Sequence, residues 1–460
     1  MWPLHRADVE GRFFIGRSRR KDQCMQTTTL TAMRIGFIAL TDCAPLIVAK
    51  EKGFFERHGL DVTLQREPSW ANLRDKVALG ALDAAHMLAP MPLAATLGAG
   101  GWKQQQITSF ALNLNGNAVT ISTRLWNRLA DAEPALVQDR HEAGNALRRL
   151  IAADRKAGRP QLTFATVFNY SSHQIQLRYW LASAGIDPDR DVQLVIVPPP
   201  QMTDRLALGE IDGFCVGDPW NSLAVLRGVG RILITGYEIW NNRIEKVIGT
   251  NRDWVERNPL THKQMLMALL EAAAWLDRPE NRLEGVEIMA KPDYIGPEAV
   301  EAIRLGMLGM LRYGLDVSPE QIPDFFVFGR YSANFPWRSQ ADWYLTEMRR
   351  WKLIDPATDI AAVADCVYRT DLYREAAAAL GKPFPLIDRK PEGLHAGPWT
   401  LAQASAPIPM GADLFFDGSY VSSARPVAHA DVSTAAAPTD RTIAWEDVAG
   451  RDAVGSKSSG

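Results

Sequence analysis

The sequence predicts an α/β protein made of two similar lobes with a ligand cleft between them. A ten-residue unit occurs twice, at 78–87 and 207–216, and each copy has the pattern of a helix end, a glycine turn, an aspartate and a short buried strand. Strand and helix patterns alternate from residue 34, which favours mostly parallel sheets with helices on both faces. Pro90 and Pro219 follow the two copies at positions suited to helix starts. Helix N-termini aimed at the cleft would favour an anionic ligand.

The elements of the first lobe follow one another as strand, helix and strand. Strands are expected over 34–40, 62–65, 83–88 and 108–112, with helices over 44–52 and 72–79. The second lobe repeats this order, with strands over 162–168, 192–197 and 231–234 and a helix over 172–184. A strand over 247–250 should then return the chain to the first lobe, before helices over 263–276, 298–311, 341–351 and 371–380 that support that lobe.

This order predicts four segments. Residues 1–32 are expected to form a disordered extension, or alternatively the protein begins at Met25 or Met33, and residues 115–244 are expected to form the second lobe. The first lobe is discontinuous, with residues 33–114 joined by residues 245–390 and their helical buttress. Residues 391–460 form a tail, mostly disordered after about residue 425, although Leu414–Gly418 is apolar enough to pack on the body.

Charge and composition argue against nucleic acid and membranes as direct partners. The 51 basic and 53 acidic residues give a net charge near −2, and no run of 18 apolar residues is present. Ser18–Lys21 resembles part of a twin-arginine export signal, but polar residues follow where an apolar stretch is required. We therefore expect a cytoplasmic protein, with its four cysteines reduced and without a metal or other cofactor.

A buried anion needs a positive charge as its partner, and the return strand offers one. Lys246 lies at the junction of the lobes, where it could neutralise the anion. Alternatively it is a solvated surface charge, and Arg243 could serve in its place.

Directional donors come from turns before helices and after strands. His173 lies at the start of a helix, so an imidazole would stand beside free backbone N–H groups; the alternative is a capping-region histidine that faces solvent. Trp70 can donate its indole N–H or simply cover the core. Asn115 and Asn117 could add amide donors or serve the glycine turn between them.

No enzyme signature stands out in the sequence. His86 and Cys215 occupy matching strand positions in the two repeats, which favours structural roles in separate lobes over a nucleophilic pair. Phosphate-binding glycine loops, zinc-protease motifs and the nucleophile elbow of hydrolases are absent. A binding protein is therefore favoured over an enzyme.

Several strings carry a resemblance to a known family. They are Gly36–Leu46, Ala84–Pro92, Arg178–Ala182, Val197–Met202 and Cys215–Asn221. Together they resemble the nitrate-binding branch of the type II periplasmic-binding-protein-like family, the branch of NrtA- and CmpA-type transporter subunits. The likeness covers residues 33–390 and implies a two-lobed type II fold with the ligand between the lobes.

The resemblance also implies which residues bind the ligand. The family's tryptophan, amide, helix-start histidine and lysine correspond to Trp70, the Asn115/Asn117 stretch, His173 and Lys246. Asparagine here stands where transporter subunits tend to have glutamine, so the identity of the amide donor is left open. Bicarbonate-binding relatives tend to carry an acidic residue at the lysine position, so Lys246 favours nitrate or nitrite.

Two roles are compatible with such a site. Without an export signal, the chain resembles cytosolic NasS-type nitrate/nitrite sensors, which control a partner, an RNA-binding antitermination regulator of the NasT response-regulator type. Ligand would then close the lobes about hinges near 113–118 and 236–247. The alternative is the substrate-binding subunit of a nitrate/nitrite ABC transporter, and an enzyme on the same scaffold, such as a thiamine-precursor synthase, is a third possibility.

Overall fold

The computed structural model describes residues 29–132, 134 and 139–421. Its strands, in chain order, are β1 Thr31–Phe37, β2 Leu60–Arg66, β3 Ala84–Leu88, β4 Gln106–Asn115, β5 Asn117–Ser122, β6 Thr163–Thr166, β7 Gln193–Ile196, β8 Gly213–Gly217, β9 Gly230–Thr235, β10 Ile244–Asn251, β11 Met310–Leu311, β12 Glu320–Gln321, β13 Phe326–Val327, β14 Trp399–Leu401 and β15 Ile408–Met410.

The helices are α1 Ala44–Glu51, α2 Phe54–Arg57, α3 Trp70–Ala78, α4 Met91–Leu97, α5 Thr123–Ala132, α6 Ala143–Lys156, α7 Ser172–Ser183, α8 Met202–Leu208, α9 Trp220–Leu226, α10 Gly236–Ile239, α11 Arg252–Arg257, α12 Pro259–Leu276, α13 Arg282–Met289, α14 Val300–Leu308, α15 Arg338–Arg350, α16 Ile360–Val367 and α17 Thr370–Ala379. Short 3-10 helices lie at Thr41–Cys43, Arg140–Glu142, Pro199–Gln201, Pro279–Asn281, Pro297–Ala299 and Arg330–Ser332. Within the described residues, none of the helices is both long and apolar enough to cross a membrane.

Two sheets form the centres of the two lobes. The first has the order β13-β4-β10-β3-β1-β2 and the second the order β7-β6-β8-β5-β9. The chain leaves the first sheet at Gly116, between β4 and β5, and returns between Thr235 and Ile244, from β9 to β10. These crossings lie beside 115 and 244, the predicted limits of the second lobe.

The predicted α/β fold is confirmed: most strands of each sheet run in one direction, and both sheets are mixed because β10 and β13 are reversed in the first and β5 in the second. The β1–β2, β1–β3, β6–β7 and β6–β8 pairs are parallel, but β10 runs antiparallel to β3 and β4, and β5 runs antiparallel to β8 and β9. The reason is the double crossing of the chain. A strand that returns from the other lobe must run opposite to the strands that point towards that lobe.

The repeated unit has the predicted structure in both copies. The helices α3 and α8 are each followed by a glycine in the left-handed region, Gly80 at φ 72° and Gly209 at φ 74°, and then by the strands β3 and β8. Pro90 and Pro219 stand at the N-caps of α4 and α9. Because β3 and β8 are buried along their whole length, the two copies deliver their C-terminal ends to the interior, where the lobes meet.

The C-terminal helices and the following segment tie the lobes together. The helix α12 packs on α1, α2 and α17 of the first lobe, whereas α14 contacts α9 and α15 contacts α7 of the second. Phe415 stacks on Trp240, with ring centroids 4.3 Å apart, and the Tyr179 hydroxyl donates to Asp417 at 2.7 Å. The predicted packing of Leu414–Gly418 on the body is therefore confirmed, and the tail that we expected to be disordered after about 425 lies outside the described residues.

Candidate functional site

Lys246 lies at the centre of the molecule, on β10. It pairs with Leu88 on β3 and faces Asn113 on β4, and its side chain is completely buried. The alternative of a solvated surface lysine is therefore wrong. Strands on both sides of β10 exclude water from the lysine, so its ammonium requires partners inside the protein.

Two buried carboxylates hold that ammonium. The Nζ atom of Lys246 lies 2.7 Å from Asp42 Oδ2 and 2.9 Å from Glu245 Oε1, and neither carboxylate is exposed. Burial alone would raise the pKa of each acid. Lys246 and the other partners of each acid together outweigh that effect, so the pKa of Asp42 lies below its usual value and that of Glu245 well below. Lys246 is therefore a paired cation and not the free charge expected from the sequence.

The second lobe reaches the same carboxylates through the start of α7. Ser171 caps this helix by accepting from the backbone N–H of Gln174 at 2.9 Å, which places the next two residues in its first turn. There Ser172 donates to Glu245 Oε1 at 2.7 Å, and His173 Nε2 lies 2.7 Å from the same oxygen. The predicted histidine is thus completely buried against a strand of the first lobe.

Trp70 closes the site from the first lobe. It is the first residue of α3 and 1% exposed, and its ring centre lies 5.7 Å from Lys246 Nζ, within reach of a cation–π contact. Its ring also meets the edge of His86 at a centroid distance of 5.2 Å. The Trp70 indole nitrogen, the Thr41 hydroxyl and His173 Nδ1 have no hydrogen-bonding partner among residues 29–132, 134 and 139–421.

Such unpartnered groups indicate a missing partner. A buried polar group without a hydrogen bond costs about 1–3 kcal/mol, so proteins rarely leave one unmatched, let alone several in one buried cluster. The indole N–H and the hydroxyl are donors, which suit an acceptor-rich ligand. The arrangement therefore fits a small oxygen-rich guest at the junction of the lobes.

The structure separates the two predicted asparagines. Asn117, on β5, donates to Glu245 Oε2 and to Gln176 Oε1, both at 3.0 Å, and so belongs to the cluster. Asn115 adopts φ 59° at the crossing, and its amide donates to Asn242 and to the Asp324 carbonyl instead. Of the pair, only Asn117 joins the cluster of Lys246 and His173, whereas the side chain of Asn115 holds the crossing between the lobes.

His86 and Cys215 lie in separate lobes, on β3 and β8, as predicted. His86 Nε2 lies 3.0 Å from Asp42 Oδ1, while its Nδ1 faces the Ile38 N–H at 3.4 Å. Burial, reinforced by Glu245, raises the pKa of the Cys215 thiol, which therefore stays protonated and unreactive. No group of metal-ligating side chains occurs in the described part of the chain.

Sequence reasoning missed both carboxylates and the full role of Arg243. This arginine is completely buried, lies 2.7 Å from Glu245 Oε2 and donates to the Tyr344 hydroxyl at 2.6 Å. A usable signal was present for Asp42, the lone charged residue in the mostly apolar string Gly36–Leu46, whereas Glu245 stands between the charged residues Arg243 and Lys246. Buried charges need partners, so Asp42 implied a cation nearby.

The lobes are in close contact around the cluster. The Thr41 N–H donates to the Asp218 carbonyl at 2.8 Å, and the Trp220 indole donates to the Ala39 carbonyl at 3.2 Å. A β-carbon on Gly217, in β8, would lie 2.9 Å from Asp42 Oδ2 and 3.6 Å from Lys246 Nζ. Only glycine allows this approach, so the second lobe forms part of the wall of the site. A cavity of about 460 Å³, lined by both lobes, opens beside Trp220.

Comparison with known proteins places this geometry in a family. Residues 26–290 match the NMT1-like family. The chain is 34% identical over 412 residues to the nitrate/nitrite binding protein NrtA of Synechocystis sp., covering 87% of this chain and 84% of that protein. It is also 42% identical over 351 residues to the nitrate import ATP-binding protein NrtC of the same organism, which covers 76% of this chain but only 50% of NrtC. The chain thus spans about half the length of that relative.

A solved structure supports the same assignment. The crystal structure of the periplasmic nitrate-binding protein NrtA from Synechocystis superposes with a TM-score of 0.72 at 32% identity, over 85% of this chain and 95% of that one. Both the mixed sheets and the two-lobed arrangement agree with this fold. The chain therefore belongs to the NMT1-like family and, within it, to the NrtA-type group of binding proteins with a periplasmic-binding-protein-like fold, which are not enzymes.

Proposed function

We propose that this protein binds nitrate or nitrite between its two lobes. The observation that carries the proposal is the buried cluster in which Lys246 stands beside the unpartnered nitrogens of Trp70 and His173, contributed by both lobes. The names of the NrtA relatives, which are nitrate/nitrite binding proteins, agree with this chemistry.

The size of the expected interaction is adequate for such a ligand. Nitrate is a planar monoanion that spreads its charge over three oxygens, so several donors can approach in its plane. Micromolar binding corresponds to about −8 kcal/mol. Three or four charge-assisted hydrogen bonds of about 1.5–3 kcal/mol each reach that value after the cost of ordering.

For the biological role, we propose the substrate-binding subunit of an ABC-type importer. Relatives include both binding proteins and ATP-binding proteins of nitrate import, and the latter are about twice as long as the part that matches this chain. This supports delivery of the anion to a transporter more strongly than the NasS-type sensor role. The cytoplasmic sensor that controls an RNA-binding NasT-type regulator stays a prediction.

Calorimetry of the full chain with nitrate and nitrite tests the binding proposal, with sulfate as a control of different shape and charge. We expect saturable heat with nitrate or nitrite, together with a rise in melting temperature. If millimolar nitrate and nitrite both leave heat and melting temperature unchanged, the proposal is wrong.

Cross-linking in cells tests the role. Capture of membrane and ATP-binding subunits of an importer would support delivery. Capture of an RNA-binding regulator, released when nitrate is added, would support the sensor and overturn the delivery proposal.

A further inference from the structure

The charged groups of the site already balance one another. Arg243 and Lys246 contribute two positive charges, and Asp42 and Glu245 two negative charges, with each carboxylate within 2.7 Å of a cation. All four side chains are completely buried. A monoanion entering this cluster would leave one uncompensated negative charge away from water, which costs several kcal/mol. One more positive charge is needed for the anion to be held.

His173 is the group whose hydrogen positions must change. Its Nε2 lies 2.7 Å from Glu245 Oε1, a close ion-pair contact without hydrogen-bond geometry. Because an ionised carboxylate offers no hydrogen, the nitrogen that faces it is the one that carries the hydrogen. A neutral imidazole then has a lone pair at Nδ1. This atom is buried and without a partner in the part of the chain that the structure describes. A lone pair repels an anion, whereas an N–H attracts it.

We propose that His173 takes up one proton from solvent when the planar oxyanion enters the site. The resulting imidazolium donates Nε2–H to Glu245 and Nδ1–H to the anion. The added charge offsets that of the ligand, and the new hydrogen satisfies the atom left without a partner. This inference rests on the proposed function and specifies how the same site holds its ligand.

His86 does not meet the same need. The Ile38 N–H points to its Nδ1 at 3.4 Å, and its Nε2 faces Asp42 Oδ1 at 3.0 Å. In the neutral form Nδ1 is therefore engaged as an acceptor, and Nε2, which faces the carboxylate, carries the hydrogen. Protonation would break the contact with Ile38 without adding a donor towards the site.

The remaining titratable groups around the cluster also do not take up the proton. Burial raises the pKa values of Cys43, Cys215 and Tyr344, which are neutral already. The cations hold the pKa of Glu245 well below its usual value and that of Asp42 below it. These groups do not change charge near neutral pH.

Asp218 is a further buried acid near the cluster, and burial raises its pKa to about 7. Its carboxylate accepts from the Ser222 hydroxyl at 2.8 Å and from the Ser222 N–H at 3.2 Å, so it is directed into its own turn. For His173, burial and Lys246 lower the pKa, whereas Glu245 raises it. These directions favour the neutral imidazole, and the charge of an incoming anion would favour the imidazolium.

The first test is a proton count. Nitrate is titrated into the full chain at pH 8 in buffers of different ionisation enthalpy, and the slope of observed heat against that enthalpy gives the protons taken up. We expect close to one proton per anion, and an affinity that falls up to tenfold per pH unit above pH 7. Nitrate binding with no proton uptake overturns the inference alone. Absence of nitrate and nitrite binding overturns the proposed function and this inference with it.

The second test locates the proton. In protein carrying ¹⁵N-labelled histidine, the His173 signals, assigned by their loss in His173→Gln, should move from the neutral to the imidazolium range when nitrate is added. A proton uptake of one with unchanged His173 signals would assign the proton to another group and overturn the inference. In His173→Gln, uptake should fall to zero. His262→Gln is the matched control, because His262 is buried on Ser109 through a 2.9 Å contact away from the cluster, and it should keep an uptake of one.

Discussion

Replacement of Lys246 by alanine tests the centre of the proposed site. The change removes one charge-assisted hydrogen bond to the anion, worth about 1.5–3 kcal/mol, or about a 10- to 150-fold loss of affinity. It also leaves Asp42 and Glu245 with one cation fewer. Breaking a buried pair costs about 3–5 kcal/mol, which for about 390 described residues corresponds to a drop in melting temperature of about 4–6 °C.

Lys390 provides the matched control for that experiment. It is also buried, 2.5 Å from Glu392 and 3.7 Å from Asp413, in a cluster of the C-terminal segment. Lys390→Ala should therefore lower the melting temperature by a similar amount and leave nitrate affinity unchanged. Calorimetry and thermal unfolding are measured on both variants. Equal affinities for Lys246→Ala and Lys390→Ala would refute the assignment of the lysine to the site.

Five further changes probe the wall of the site, the crossing between the lobes, the pH response and the C-terminal segment. Gly217→Ala should weaken nitrate binding at least tenfold, because the new β-carbon would press on Asp42. Gly397→Ala is the control, since open space surrounds that glycine, and it should leave the affinity measured by calorimetry unchanged. Asn117→Ala should lower nitrate affinity more than Asn115→Ala, and equal losses would return Asn115 to the site. Burial raises the pKa of Asp218 from 3.8 in the unfolded chain to about 7 in the folded protein. The stability that protonated Asp218 provides is therefore lost as the pH rises from about 4 through 7. Asp218→Asn, which cannot ionise, should raise the melting temperature more at pH 8 than at pH 5. Phe415→Ala should lower the free energy of unfolding, measured in urea, by about 3–5 kcal/mol, because it removes the ring stacked on Trp240. Deletion of residues 426–460 should leave nitrate affinity, measured by calorimetry, unchanged.

The sequence allowed the order of elements to be predicted because local patterns control it. The repeat, with its glycine at the end of α3 and of α8, follows from backbone conformations that few other residues adopt. The direction of β10 could not be read in the same way. Whether a strand runs with or against its neighbours depends on where the chain comes from in space, and β10 arrives from the other lobe.

The difference between local patterns and contacts across the fold also explains which site residues could be predicted. Trp70 and His173 stand at helix starts, a location that the sequence marks through the serines before them, Ser69 and Ser171. Asn115 and Asn117 could not be told apart, since each is polar and beside Gly116. Only the partners reached across the crossing tell them apart: Asn115 contacts Asn242 at the crossing itself, and Asn117 contacts Glu245 in the buried cluster.

Glu245 shows most clearly why part of the site stayed hidden. In a regular strand, neighbouring residues point to opposite faces of the sheet, so Glu245 and Lys246 should not share a site. Here the register of β10 against β4 shifts on both sides of Lys246, and Glu245 Oε1 lies 2.9 Å from the Lys246 ammonium. An irregular strand of this kind redirects side chains next to functional sites. The irregularity therefore places a carboxylate between the lysine of one lobe and the histidine of the other, an arrangement that the alternation of side chains along a regular strand would not predict.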